Sequence, residues 1–232
     1  MPLENLLVLH FQILKINSMA HVISFTFNAF SENTYLVVDD RTKECVIFDP
    51  GCFDQGEKEI LKTYIEKEGL KPVRLINTHC HLDHVFGNKF VSETFNLPLE
   101  IHQGELIVLK SAIQVATAYG LPTPEESPEP GSFIEEGDEI VFGDTKLTAI
   151  FTPGHSPASL SFYCEKDAFI IAGDVLFQGS IGRTDLPGGN FDTLINVIKT
   201  KFLTLPDEVK VHSGHGPATT IGHEKAHNPF LQ

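Results

Sequence analysis

The chain is 232 residues long, 41% hydrophobic and 21% charged, and no low-complexity tract or repeat divides it, which excludes disordered and fibrous classes and makes one domain the default. Lys and Arg number 17 against 31 Asp and Glu, a formal charge of -14. That charge excludes a nucleic-acid partner as an expectation, because sequence-independent affinity for nucleic acid comes from cations that neutralise phosphates.

Leu6 to Leu14 is apolar, but Glu4 stands where a signal peptide carries basic residues, and His10 and Gln12 interrupt a run too short to span a membrane. Residues 1–18 read as an upstream extension without catalytic use, and 19–232 as a single domain with no membrane partner. Val22 to Phe27, Asn33 to Val38 and Glu44 to Phe48 are β-branched and aromatic runs separated by turn residues, an antiparallel meander. Gln55 to Glu68 places Ile60, Leu61, Tyr64 and Ile65 at helical spacing, with Gly69 as a stop. The next strand, Val73 to Asn77, runs directly into Thr78-His79-Cys80-His81-Leu82-Asp83-His84.

A helix is predicted over Asn88 to Phe95, a short strand over Leu99 to His102, a helix over Glu105 to Tyr119, and a covering or connecting loop over Pro124 to Gly131. Glu139 to Phe142 and Lys146 to Phe151 form a hairpin around Gly143-Asp144, and its second strand ends in Pro153-Gly154-His155. Ser159 to Cys164 pairs with Ala168 to Ala172, which ends in Gly173-Asp174. A helix from about Phe191 to Phe202 leads to Val209 to His212, which ends in Gly214-His215-Gly216. Four apolar strands thus end in His or Asp beside small residues, and two loosely similar halves imply an α/β sandwich of two sheets flanked by helices.

Three histidines and an aspartate within the six residues from His79 to His84 are ligand chemistry at high density. Burying that many polar groups without a metal would carry a desolvation penalty. Cys80 lies between two of them, but alternating residues of an extended segment point in opposite directions, so it reads as turned away. With Cys45, Cys52 and Cys164 it has no repeated spacing, and the four read as reduced thiols of a cytoplasmic protein. Asp49, in an Asp-Pro-Gly turn after another strand, is either an acceptor behind a ligating imidazole or an ordinary turn residue. Arg183 and Asp185 either shape the site or form a structural ion pair. His102 and His212 are near the cluster in sequence terms only, and His10, His21, His223 and His227 carry no chemical signal.

His79-Cys80-His81-Leu82-Asp83-His84 matches the His-x-His-x-Asp-His signature of the metallo-β-lactamase superfamily, and Gly154-His155-Ser156, Gly173-Asp174 and Gly214-His215-Gly216-Pro217 follow in that family's order. The chain resembles that superfamily from about Ser24 onward, which implies a four-layer αββα sandwich of two mixed sheets. The resemblance also implies that His79, His81 and His155 hold one divalent ion, that Asp83, His84 and His215 hold a second, and that Asp174 bridges them. Three imidazoles with an open position form a catalytic zinc shell, and the mixed His/carboxylate shell also tolerates iron or manganese. Zinc is the first expectation.

Within the superfamily, Asp174 stands where common zinc β-lactamases carry Cys, and His81 where flavodiiron proteins carry Glu. Gly179-Ser180-Ile181-Gly182-Arg183-Thr184-Asp185 and Gly214 to Thr220 are similar to the short bacterial members of the glyoxalase II group, the hydroxyacylglutathione hydrolases. The expected reaction is hydrolysis of a small-molecule acyl thioester such as S-lactoylglutathione. Two metals about 3.5–4 Å apart lower the pKa of a shared water toward about 7, and the resulting hydroxide attacks the carbonyl, with Asp83 as its orienting residue. A thiolate, with a conjugate-acid pKa of about 8.5, departs without a strong general acid.

Full-length glyoxalase II enzymes append a helical region that supplies basic groups to glutathione, whereas 17 residues follow His215 here. The alternative is a mononuclear iron persulfide dioxygenase of the same fold, which uses a subset such as His79, His155 and Asp174. A non-catalytic binding module is weakened by the presence of all seven expected ligands.

Overall fold

Along Glu32–Asp39 every residue is buried, and the side chains divide by parity. Leu36 and Val38 join one apolar cluster, Tyr35 and Val37 another. Residues alternate across a strand, so a strand buried on both faces lies inside a sheet with a layer on either side. In the computed structural model, which describes residues 19–232, that inference holds for both sheets. The extension expected over 1–18 lies outside the described residues.

The first sheet opens with the expected meander: β1 (Ala20–Phe27), β2 (Glu32–Asp39) and β3 (Glu44–Phe48) pair antiparallel. Helix α1 (Gln55–Lys67), capped by the Asp54 carboxylate on Glu57 N, crosses back to β4 (Lys71–Ile76), which lies parallel to β3. The single turn α2 (Leu82–Val85) and α3 (Asn88–Phe95) lead to β5 (Leu99–Ile101). A 3-10 turn at Gln103–Glu105 and α4 (Leu106–Ala118) lead to the edge strand β6 (Pro130–Phe133). Parallel neighbours need such crossovers.

The second sheet begins with the hairpin β7 (Glu139–Phe142) and β8 (Thr145–Phe151), then β9 (Leu160–Cys164) and β10 (Phe169–Gly173), each antiparallel to the strand before it. A small hairpin, β11 (Leu176–Phe177) and β12 (Ser180–Ile181), precedes α5 (Phe191–Val197), which opens into a π-type turn at Ile198–Phe202. Strand β13 (Lys210–Ser213) lies parallel to β10, followed by β14 (Thr219–Thr220) and α6 (Ile221–His227). The order across this sheet is β14-β13-β10-β9-β8-β7. Both sheets are mixed.

Three cores separate four layers. Leu36, Ile47 and Leu75 pack under the helices of the first half with Leu61, Val91 and Leu109. Val37, Val46 and Phe48 meet Leu147, Phe162 and Ile171 between the sheets, with Phe48 and Phe162 ring centroids 4.9 Å apart. Ile170, Ala172 and Val211 pack outward on Leu194, Ile198 and Phe202. Truncating one of the fully buried leucines to alanine would cost about 2–5 kcal/mol.

This topology gathers strand ends. Two antiparallel steps make β8 run the same way as β10, and β13 is parallel to β10, so all three strands finish at one edge of the second sheet. The end of β4 reaches that edge from the other sheet, where Thr78 O accepts from Leu160 N at 2.8 Å.

Several short elements escape the sequence pattern. A single turn such as α2, or two-residue pairs such as β11–β12, are too short to show a period. The stretch expected as loop from Pro124 ends as β6, whereas Ser127 covers α2 and the start of α3, its Oγ 3.5 Å from Val85 O and 3.2 Å from Asn88 Nδ2. No helix among the described residues is long and apolar enough to cross a membrane.

Candidate metal centre

The four strand ends deliver the seven side chains singled out from the sequence to one place. His79, His81 and His155 present ligand atoms within 4.8 Å of one another, and so do Asp83, His84 and His215. His79 links the two groups, its ring centroid 4.1 Å from that of His84 and 4.9 Å from that of His155. Asp174 lies between them: Oδ2 is 3.4 Å from His155 Nε2 and 3.5 Å from His215 Nε2, and Oδ1 is 3.5 Å from His84 Nε2. Glycine is required beside it, since a Cβ on Gly214 would stand 2.1 Å from Asp174 Oδ1.

Outer hydrogen bonds fix which nitrogen of each ring faces inward. His155 Nδ1 lies 2.7 Å from Arg183 O and His215 Nδ1 lies 3.1 Å from Phe30 O. A carbonyl only accepts, so each Nδ1 carries a proton and each ring turns its Nε2 to the centre. Thr78 Oγ1 donates to Asp49 Oδ2 at 2.6 Å and lies 3.1 Å from His79 Nδ1, which leaves His79 Nε2 inward. His81 Nδ1 approaches His155 Nε2 at 2.8 Å.

The donor set fits a cation. His79 Nε2, both nitrogens of His84 and Asp174 Oδ1 are buried without a hydrogen bond inside the protein, a state that costs stability unless something else satisfies those atoms. Burial, helped by neighbouring imidazoles, holds His79 well below the ordinary histidine range and His81 down at about 3, so both stay neutral and able to ligate. Burial opposes charge on His84 too, but Asp83 and Asp174 outweigh it and push that group up. Burial likewise acts to raise Asp174, yet His84 and the other imidazoles hold it well below the usual carboxylate range. The carboxylates around His84 create a field that favours positive charge.

Asp49 lies beside His84 without a hydrogen bond to it. It sits in a turn with φ +47°, and its carboxylate accepts from Thr78 N at 2.7 Å while Oδ2 lies 3.2 Å from His84 Nδ1. Arg183 and Asp185 pair with each other at the surface through two 2.7 Å hydrogen bonds. Only the backbone carbonyl of Arg183 touches the cluster. Cys80 packs into the helix-side core and joins none of the ligand groups found among the described residues. His102 accepts from Gly104 N, and His212 is buried between Tyr35 and Phe169, where burial lowers it to about 3.

Sequence reasoning passed over the residues that brace the ligand loops. Glu105, fully buried, accepts from Cys80 N at 2.9 Å, Ser156 Oγ at 2.6 Å and Ala158 N at 2.8 Å, so one carboxylate ties the His79–His81 loop to the His155 loop. Asn33 donates from Nδ2 to Ser213 O and Gly216 O, and Tyr35 Oη donates to Ser213 O at 2.7 Å; together they hold the strand end that carries His215. Glu32, fully buried, places Oε1 3.9 Å from His84 Nδ1. An acid at a helix start and polar residues in a strand look like ordinary capping and edge chemistry, so no local signal sets them apart.

Beside the cluster opens a cavity of about 820 Å³, with His81, Asp83, His155, Asp174 and His215 in its lining. That is the size and place of a small-molecule site.

The metallo-β-lactamase superfamily model matches residues 28–215. The hydroxyacylglutathione hydrolase GloC of Haemophilus influenzae is 37% identical over 204 residues, covering 88% of this chain and 94% of that protein. Among solved structures, the BLEG-1 B3 metallo-β-lactamase superposes with a TM-score of 0.84 at 37% identity, over 91% of this chain and all (100%) of that one. TTHA1623, solved in a di-iron-bound form, superposes with a TM-score of 0.81 at 38% identity, over 90% and 100% of the two chains. With its two mixed sheets, flanking helices and His/Asp cluster able to bind metal, this chain belongs to the metallo-β-lactamase superfamily.

Proposed function

We propose that this chain is a metal-dependent hydrolase of acyl thioesters, of the hydroxyacyl kind represented by S-lactoylglutathione. The observation that carries the reading is the convergence of five imidazoles and two carboxylates at one wall of a substrate-sized cavity. The likeness to GloC supports the thioester, and the di-iron form of TTHA1623 supports a pair of metals.

His79, His81 and His155 would hold one divalent ion, Asp83, His84 and His215 a second, with Asp174 shared. Zinc suits the imidazole shell; iron or manganese suits the mixed one. Such ions supply an activated water and a Lewis acid for the carbonyl oxygen. The protein's own part is orientation. Asp83 Oδ2, 3.1 Å from His215 Nε2, is placed to orient the attacking water. Water oxygen bonds the carbonyl carbon, the C–S bond breaks, and carboxylate and thiol leave, the thiolate needing no strong acid. In a mononuclear iron dioxygenase that used His79, His155 and Asp174, the Asp83–His84–His215 group would have no task, and that group favours hydrolysis.

The test is metal analysis of the purified protein with a panel of thioesters, a β-lactam, and oxygen uptake on glutathione persulfide. The expected result is two metals per chain and thioester hydrolysis that His81→Ala and Asp174→Ala abolish. One iron with oxygen consumption, preferential β-lactam hydrolysis, or full activity in either variant would each overturn it.

A further inference from the structure

Helix α4 is apolar on two faces. Leu109, Ala112 and Ala116 turn into the core beneath the first sheet, which accounts for one stripe. A second stripe, Ile107, Ser111, Val115 and, just past the helix, Tyr119, recurs every four residues and faces the cavity beside the metal centre. Ile107 is 74% exposed and Tyr119 56%. Lys110 is the only charged residue of the helix; it points away from the cavity, to Glu129. Val115 also packs on the core, but Ile107 and Tyr119 are large side chains left open toward the cavity, and such exposure marks a surface kept for an apolar ligand. Phe30 and Phe177 stand in the same lining.

The charges point the same way. Among the described residues that line the cavity Arg183 is the only Lys or Arg, and its guanidinium is engaged by Asp185 through two 2.7 Å hydrogen bonds. A glutathione thioester brings two carboxylates, and this lining offers them one cation, already paired with Asp185. An apolar acyl chain, by contrast, gains from every methylene it buries along α4, roughly fourfold in affinity for each one fully covered.

We infer that the preferred substrates are thioesters whose acyl group is apolar and larger than lactoyl, the chain or ring lying along Ile107, Val115 and Tyr119 with the thioester carbonyl at the metal centre, and the thiol carrier contributing little. This rests on the thioesterase reading above.

The test crosses two acyl groups, lactoyl and 2-hydroxyoctanoyl, with two thiols, glutathione and the neutral N-acetylcysteamine, on the metal-loaded enzyme. The expected result is a kcat/KM at least about tenfold higher for 2-hydroxyoctanoyl on either thiol, with no gain from glutathione. Ile107→Glu, at a position exposed enough to tolerate charge, should shrink that preference to within about threefold. Calorimetry with a non-hydrolysable thioether, S-octyl-N-acetylcysteamine, gives a readout apart from turnover: it should bind the parent protein and bind Ile107→Glu at least about fivefold more weakly. Hydrolysis with lactoylglutathione preferred, an equal rate on both acyl groups, or thioether binding indifferent to Ile107→Glu overturns this inference and leaves the thioesterase reading standing. No hydrolysis of any of the four thioesters overturns both.

Discussion

Strand β2 ends in a buried carboxylate at each extremity, Glu32 toward the metal centre and Asp39 at the far end, and the two behave in opposite ways. Burial acts to raise both. Asp39 accepts from Thr42 N, Thr42 Oγ1, Asp144 N and Thr145 Oγ1, and those four donors hold it down at about 2. Glu32 has Thr34 Oγ1 on one oxygen and nothing on the other, with Asp49 and Asp83 nearby, and is pushed well above the carboxylate range. The far end is internally satisfied, whereas the near end gathers acidic groups and unpaired atoms that a bound cation would satisfy. A protein fold that completes its hydrogen bonds at one end and leaves them open at the other is suited to a ligand at the open end.

The largest expected effect lies at that open end. Asp174→Ala should lower thioester kcat/KM by about a thousandfold or more, because it removes the carboxylate that lies between the two His-bearing groups. Circular dichroism should show that the fold survives. Chelation should reveal the same asymmetry in stability: if metals bind about a thousandfold above their dissociation constant, their removal forfeits about 4 kcal/mol. For a domain of this size that is a fall in Tm of roughly 10 °C. An unchanged Tm after complete metal removal, checked by elemental analysis, would mean that the open end needs no cation.

Glu105 tests how far the bracing matters. It touches none of the seven residues through a side chain, yet it fixes the backbone of Cys80 between two of them and the loop that follows His155. Burial pushes its carboxyl up, while the three donors pull the other way. Glu105→Ala should weaken metal affinity by about 10–100-fold, the usual cost of losing a group that orients ligands. Glu105→Gln keeps one carbonyl acceptor and should recover part of that loss. Competition with a fluorescent chelator reads the affinity directly, and equal loss in both variants would show that charge, not the hydrogen-bond pattern, is what Glu105 supplies.

The division between what the sequence disclosed and what it concealed follows the same line. The sandwich was legible because stretches buried on both faces, such as residues 45–48, are unbroken apolar runs, and because glycines mark the turns after them. Placement of His155, Asp174 and His215 at strand ends was legible for the same reason. Arg183 shows the limit: its side chain drew notice as a site residue, but the structure pairs that side chain with Asp185 and uses the carbonyl instead. A backbone acceptor leaves no trace in residue identity. Glu105 and Asn33 were hidden because their partners lie 25 to 183 positions away in the chain, a pairing that no local window contains.

The smallest expected effect belongs to the satisfied end, and it is one of stability alone. Asp39 ties the end of β2 to the turn of the β7–β8 hairpin, linking the two sheets far from the ligands. Its carboxyl titrates at about 2 when folded against 3.8 ordinarily, so the unfolded chain binds the extra proton between those values. The contribution is therefore complete above about pH 4 and is lost as pH falls toward 2. Asp39→Asn, which places an amide donor against donors, should cost about 1–3 kcal/mol at pH 7, read as a Tm lowered by several degrees. The gap between parent and variant should narrow as both are melted at pH 4, 3 and 2, while at pH 7 the two bind metal with equal affinity. A gap that stayed constant down to pH 2 would assign the loss to packing, and altered metal affinity would mean that the two ends of β2 are coupled through the strand.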